Sequence, residues 1–109
     1  LAPKLAGQLF LKYPDQMIPF TERWIESDNF WYQRAALIFQ LSYKDKTNEK
    51  LLFDYVQRQA GSTEFFVQKG AGWALRQYSK VAPERVRTFL QENQPILAPL
   101  TIREGGKYV

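Results

Sequence analysis

The segment from Glu64 to Lys80 concentrates residue types suited to binding an anionic polymer. Its sequence, EFFVQKGAGWALRQYSK, contains no proline and predicts one helix of about four to five turns. At roughly 100° per residue, three cations and an indole fall within about 60° of one another. These residues are Lys69, Trp73, Arg76 and Lys80. Cations meet phosphates and an aromatic ring offers a flat surface to a base or sugar, so the stripe is typical of a nucleic-acid surface.

A plainer interpretation of this stripe stays open. Trp73 would be a peripheral core residue and the cations a solvated face, since charge stripes are common on helices. A different face of the segment carries small and apolar side chains, which predicts close packing against a neighbouring helix. They are Val67, Ala71, Ala74, Leu75 and Tyr78.

Composition limits the chemistry available to the chain. It has 109 residues, a net charge of +4, and neither Cys nor His. Disulfides, Cys/His zinc sites and Cys or His catalysis are therefore excluded, and a general base would be a carboxylate, a Tyr or a Lys. We expect no metal and no other cofactor. No apolar run reaches the roughly 20 residues of a membrane span, so no membrane partner is expected.

Periodicity predicts an all-α chain of about seven helices and no strand. Residues 1–109 are interpreted as a single domain, and because the chain starts with Leu, as part of something longer. The predicted helices are Lys4–Lys12, Gln16–Ser27, Phe30 to about Lys44 (largely buried), Glu49 to about Ala60, the central helix Glu64–Lys80, Pro83–Glu92, and a last helix from Thr101.

Cap residues mark the expected helix ends. We predict N-caps in the cluster Ser27-Asp28-Asn29 and in the turn ending at Asn48. Gly61 fits the residue after the end of a helix, and Ser62 or Thr63 is expected to cap the central helix. Thr101 and Glu104 have the spacing of a capping box.

A weak repeat relates two helices 35 residues apart. The small pair Ala35-Ala36 is echoed by Gly70-Ala71 and again by Gly105-Gly106. Helix pairs repeated near this length are typical of an α-solenoid of the HEAT or armadillo kind, whereas the TPR consensus does not fit. Stacked inner helices would form a concave basic trough around Trp73. The matched residues are Phe30 with Phe65, Gln33 with Gln68, Arg34 with Lys69, Ala36 with Ala71, and Tyr43 with Tyr78.

Three segments in order, WIESDNFWYQRAALIFQLSYKDKT, EFFVQKGAGWALRQYSK and LAPLTIREGGK, resemble the successive motifs of the DNA alkylation repair family, the AlkD-like DNA glycosylases. The resemblance implies a HEAT-like α-α superhelix whose concave face holds duplex DNA. It implies hydrolysis of the N-glycosidic bond of 3-methyladenine and 7-methylguanine types of alkylated purine, without base capture in a deep pocket. It also implies a bacterial, cytoplasmic, nucleoid-associated protein.

The resemblance also implies roles for individual residues at positions that match the family's motifs. Trp73 matches the family's cleft tryptophan, which contacts the lesion, and Arg34 matches a phosphate-binding arginine. Arg76 matches a basic residue of the same surface. The predicted DNA-binding set is Arg34, Lys69, Arg76, Lys80, Arg103 and Lys107.

Two departures from the family pattern matter. Gln33-Arg34 stands where the family often has two adjacent arginines, which predicts one phosphate contact fewer. The catalytic Asp and a companion Trp lie just before a segment that matches Leu1–Gly7. None of the eleven acidic residues aligns with that Asp, so we interpret the chain as the C-terminal half of a glycosylase and expect it to be inactive alone.

Two other function classes stay open. One is a non-catalytic DNA-binding module for branched or damaged DNA, and the other is a protein-interaction scaffold, the usual task of α-solenoids. An Asp and a Trp just upstream of Leu1 would favour the enzyme. The absence of a salt-dependent affinity for DNA would favour the scaffold.

Overall fold

Six helices and no strand are found in the part of the chain that the computed structural model describes, which is Lys12 and residues 14–40 and 47–109. The helices are α1 (Pro14–Ile25), α2 (Phe30–Ile38), α3 (Glu49–Arg58), α4 (Phe65–Ser79), α5 (Pro83–Asn93) and α6 (Pro99–Gly105). The predicted all-α class is confirmed, and the helix count is close to the predicted seven. The predicted helix Lys4–Lys12, apart from Lys12, and residues 41–44 of the predicted α2 lie outside the described residues. Helix α2 ends at Ile38, earlier than predicted, because Phe39 is its C-cap and Gln40 lies in a turn.

The helices form two layers of three. Helix α4 is the centre of one layer, since it packs on α2 at one side and on α6 at the other. The second layer contains α1, α3 and α5. The Tyr55 hydroxyl of α3 hydrogen-bonds Thr21 of α1 at 2.7 Å, and the Phe53 ring stacks on Phe89 of α5 with centroids 4.2 Å apart. Each layer is therefore continuous along the stack of helix pairs.

The predicted apolar face of α4 is the centre of the core. Val67 and Leu75 have no exposed surface, and Ala71 and Ala74 are buried, while Tyr78 is partly buried against the same cluster. Burying an aliphatic side chain of this size stabilises the fold by about 1.5 to 3 kcal/mol. The charged stripe of α4 is left at the edge of this core, where its side chains remain available.

Matching hydrogen-bond patterns occur at the entrances of α2 and α4, at positions that the 35-residue offset relates. The side-chain amide of Gln33 donates to the carbonyl of Ser27 at 2.6 Å, and that of Gln68 donates to Ser62 at 2.8 Å. The two serine hydroxyls accept from the backbone N–H two residues later, at 3.0 and 3.2 Å. Gln33 thus has a structural role at the entrance of α2.

Several predicted helix ends are confirmed. Asn29 caps α2 by accepting from the Trp31 N–H at 2.9 Å, and Asn48 caps α3 by accepting from Leu51 at 3.1 Å. Pro83 starts α5, where its missing N–H costs no helical hydrogen bond.

Three other end assignments were wrong. Helix α3 ends at Arg58, so Gly61 lies beyond the cap rather than directly after it. The N-cap of α4 is Glu64, because Ser62 accepts from Glu64 instead of from within the helix. Helix α6 starts at Pro99, and Thr101 donates to the Gln68 carbonyl at 2.9 Å, so Thr101 and Glu104 form no capping box.

The start of α2 is more exposed than predicted. Ala35, Ala36 and Leu37 are buried, but Trp31 is 54% exposed and Tyr32 is 49% exposed. The expectation of a largely buried helix was therefore wrong for its first turn.

Candidate nucleic-acid interface

Trp73 lies between two cations from two different helices. The guanidinium carbon of Arg34, on α2, is 5.6 Å from the centroid of the indole, and the ammonium of Lys69, one turn earlier on α4, is also 5.6 Å away. Lys69 is equally close to the Phe65 ring. Such contacts contribute about 0.5 to 1 kcal/mol at partly exposed sites. The structure therefore brings together three of the residues that the sequence predicted.

Arg34 reaches this position because Gly70 has no side chain. A Cβ built on Gly70 would lie 3.1 Å from the Arg34 Cγ and 3.4 Å from the Ile38 Cγ2. The Nε of Arg34 is buried and finds no hydrogen-bond partner among the described residues. Its guanidinium is therefore oriented by packing against Gly70 and the indole, and turning it towards a phosphate would break no protein hydrogen bond at Nε.

Arg76 has a carboxylate partner that the sequence analysis missed. Its guanidinium is 3.3 Å from Glu104 of α6, and both side chains are at most one quarter exposed. The pair forms because α4 and α6 approach closely at Gly72, where an added Cβ would be 2.6 Å from the Glu104 Cβ. Arg76 is thus partly neutralised, whereas Lys69 and Lys80 have no ion pair with any residue that the structure describes.

The far end of the α4 stripe has a second group of cations around a ring. The ammonium groups of Lys80 and Lys107 are 5.7 and 5.9 Å from the centroid of Tyr108, which is 55% exposed. Lys80 follows the end of α4, and the other two residues follow α6. Arg103 is exposed on α6 and has no ion pair within the described ranges. Four of the predicted cations therefore form two groups, Arg34 with Lys69 and Lys80 with Lys107, and Arg76 and Arg103 lie outside both.

Ion pairs are concentrated in the other layer. Arg58 pairs with Glu22, with Glu26 at 3.2 Å and with Asp54 at 2.9 Å. Arg85 pairs with Glu49, whose carboxylate also accepts from the Tyr78 hydroxyl at 3.0 Å. In the part of the chain that is described, Arg76–Glu104 is the one ion pair between α4 and α6. Charge is therefore compensated in the α1–α3–α5 layer and left positive along α4.

Glu49 and Tyr55, both on α3, have altered acidity. Hydrogen bonding to Arg85 lowers the pKa of the Glu49 carboxyl, which keeps it ionised. Burial raises the pKa of Tyr55 to about 12, because the low-dielectric core disfavours the phenolate. Both shifts belong to contacts between helices and serve packing.

A cavity of about 620 Å³ opens on the α1–α3–α5 layer, and none of its lining residues belongs to the α4 stripe. Across Lys12 and residues 14–40 and 47–109, no group of three acidic, His or Cys side chains is placed to hold a metal ion. No helix in these ranges is long and apolar enough to cross a membrane. The α4 stripe remains the candidate site.

Comparison with known proteins identifies the family. A family model described as "DNA alkylation repair enzyme" matches residues 1–109. The chain belongs to this family. The resemblance in the three sequence motifs is therefore confirmed over the whole chain. No curated protein was found to match.

A solved structure supports the same assignment. The chain is similar to a predicted DNA alkylation repair enzyme from Enterococcus faecalis, with 37% sequence identity and a TM-score of 0.89. The alignment covers 98% of this chain and 49% of that one, so the chain spans about half the length of its relative. Family and fold are shown by this likeness, whereas the roles of Trp73 and its neighbouring cations remain predictions.

Proposed function

We propose that the chain is the C-terminal half of a DNA repair enzyme, an alkylpurine DNA glycosylase. The whole protein would hydrolyse the N-glycosidic bond of 3-methyladenine and 7-methylguanine types of lesion in duplex DNA, at the nucleoid of a bacterial cytoplasm. The observation that supports this most is the position of Trp73 between Arg34 and Lys69, each 5.6 Å from the ring. Membership of the DNA alkylation repair enzyme family supports the same reaction class.

The charge distribution supports the proposed DNA contact. Four carboxylates on the side of the α1–α3–α5 layer are paired with Arg58 or Arg85, which reduces their repulsion of a polyanion approaching α4. They are Glu22, Glu26, Asp54 and Glu49. Helix α2, the α4 stripe and the segment from α6 to Lys107 together offer six cations, and among the described residues one of them, Arg76, is paired with a carboxylate, that of Glu104. The six cations are Arg34, Lys69, Arg76, Lys80, Arg103 and Lys107. Neutralising phosphates with such cations releases counterions, which drives binding at low salt.

Backbone binding and lesion binding would be coupled at Trp73. An alkylated purine is itself a cation, so Arg34 and Lys69 would repel it if they stayed over the indole. Once phosphates attract these two side chains, the indole face becomes available to the cationic base, which it stabilises by about 0.5 to 2 kcal/mol. A neutral, undamaged purine would gain less from the same face. The arrangement thus provides a physical basis for preferring charged lesions.

Bond cleavage requires a further group. As the C–N bond breaks, the sugar becomes oxocarbenium-like, and a nearby carboxylate stabilises the developing charge. The carboxylate on this surface, Glu104, is already compensated by Arg76. We therefore assign Trp73 to lesion contact and assign the catalytic carboxylate to the Asp expected upstream of Leu1.

The proposal is tested by release of 7-methylguanine from methylated duplex DNA. We expect no useful rate from the 109-residue chain and activity from a chain extended upstream, since loss of one such electrostatic partner typically costs on the order of 10² to 10³ in rate. Within the extended chain, Trp73→Ala should strongly impair release, and Trp24→Phe in α1 serves as the control for losing an indole elsewhere. Equal rates from the two chain lengths would place the catalytic group within these 109 residues and contradict the proposal.

A second candidate function is DNA binding without catalysis. It is favoured by the pairing of Glu104, the carboxylate beside the α4 stripe, with Arg76, because this pairing already compensates its charge. An extended chain that binds DNA with the expected salt dependence but releases no base from any methylated duplex would support this candidate over the enzyme.

A further inference from the structure

We propose that Lys80, Tyr108 and Lys107 form a second DNA contact, a phosphate clamp separate from the lesion contact at Trp73. The inference rests on the proposed function and extends it to a part of the surface that has no lesion to recognise. It assigns a role to Tyr108, which sequence reasoning did not select.

The geometry of this clamp resembles that around Trp73. In both groups two cations lie within 6 Å of the centroid of one ring, and in both the cations come from two different segments of the chain. At the clamp all three side chains are exposed, and Tyr108 is 55% exposed. No carboxylate pairs with either lysine within residues 14–40 and 47–109, so their charge is available to an anion.

The Arg76–Glu104 pair separates the two contacts. Lys69, Trp73, Arg76 and Lys80 succeed one another along one stripe, and the carboxylate of Glu104 lies beside Arg76 at 3.3 Å. A phosphate placed beside Arg76 would meet the carboxylate of Glu104 as well as the guanidinium. The stripe therefore attracts a phosphate less strongly at its middle than at its two ends. The surface therefore presents two positive regions with a nearly neutral interval, instead of one continuous strip.

Helix geometry sets the distance between the two regions. Lys80 follows Trp73 by seven residues, which corresponds to about 10 Å along the helix axis. The proposal takes α4 as parallel to the duplex axis, along which one DNA strand advances about 3.4 Å per nucleotide, so the clamp falls roughly three nucleotides from the lesion contact. A phosphodiester group of the same strand is the ligand that fits this distance and charge.

Tyr108 acts in the clamp as a positioning residue. Its ring holds the two ammonium groups close to one position. Without the ring, each ammonium would be at the end of a long and flexible side chain. A phenyl ring would serve equally, whereas an aliphatic side chain would not. Because the clamp contacts only backbone, it should contribute the same affinity to methylated and unmethylated DNA.

The test measures binding of the full chain to a duplex with one 7-methylguanine, and to its unmethylated counterpart. The double variant Lys80→Gln with Lys107→Gln should reduce the slope of log K against log salt by about 1.8 on both duplexes. Tyr108→Leu should weaken binding about two- to fivefold, and Tyr108→Phe should restore it. If Tyr108→Phe is as weak as Tyr108→Leu, the assignment of Tyr108 is overturned.

A scan with single neutral methylphosphonates locates the clamp on the DNA. The wild-type chain should lose affinity when the neutral group is near the lesion and again roughly three nucleotides away. The lysine double variant should lose only the distant sensitivity. If Arg34→Gln lowers the salt slope but the lysine variant changes nothing, the clamp is wrong and the proposed function stands; if neither changes the slope, both fail.

Discussion

At the scale of single residues, Gly72 controls how closely α4 and α6 approach. Gly72→Ala would place a Cβ 2.6 Å from the Glu104 Cβ and 3.3 Å from the Thr101 carbonyl, neither of which can move without shifting backbone. We expect a loss of about 1 to 3 kcal/mol in the free energy of unfolding. Urea denaturation measures the change.

The matched control is Gly61→Ala. Gly61 has no atom within 4 Å of a built Cβ, and its backbone is not left-handed, so this variant should stay within about 0.5 kcal/mol of the wild type. Equal effects of the two substitutions would show that the Gly72 contact with α6 does not constrain the packing.

Residue-level reasoning from the sequence found the cations of the site but not their partners. Lys69, Trp73, Arg76 and Lys80 could be assigned to one stripe because their spacing depends only on the helical period. The pairing of Arg76 with Glu104 depends on the depth of packing between α4 and α6, which no local pattern encodes. The position of Tyr108 between two lysines could not be predicted for the same reason.

At the scale of helices, the contact between α1 and α3 should weaken at high pH. The pKa of Tyr55 in the folded chain is about 12, above its ordinary value of 10.0. Below pH 10 the phenol is protonated in both states, so its contribution to stability is complete. Between pH 10 and 12 only the unfolded chain loses the proton, and stability should fall by about 2 to 3 kcal/mol.

Tyr55→Phe isolates this effect, since it has no phenol to ionise. The variant loses the hydrogen bond to Thr21, a roughly constant cost of about 1 kcal/mol, but its stability should decline less steeply above pH 10. Urea unfolding of both chains from pH 8 to 11.5 gives the comparison. Parallel declines would contradict the assigned shift.

The helices themselves were mostly predictable, and their ends less so. Helix α4 was predicted from Glu64 to Lys80 and spans Phe65–Ser79, because its two faces have a strong period. The exposure of Trp31 was not predictable from hydrophobicity. Its ring stacks on Phe66 with centroids 5.4 Å apart, so these aromatic rings pack against one another at the edge of the layer and not in the core.

At the scale of the whole molecule, the separation of charge between two layers is the feature on which the proposed function depends. Carboxylates of α1 and α3 are engaged by Arg58 and Arg85, and the cations of α4 face outward from the other layer. The repeat in the sequence predicted the stack of helix pairs. It could not predict which layer would have paired charges, since that depends on contacts between residues 32 to 36 positions apart.

The central claim is that DNA binds along α4 because of where the cations lie, and not because of net charge. The most direct measurement is the salt dependence of duplex binding by two double variants that remove the same charge. Arg34→Gln with Lys69→Gln acts beside Trp73, and Lys50→Gln with Arg87→Gln acts on exposed positions of α3 and α5. The first variant should reduce the slope of log K against log salt by about 1.8 and the second should leave it unchanged. Equal reductions in the two variants, or none in the first, would contradict the account.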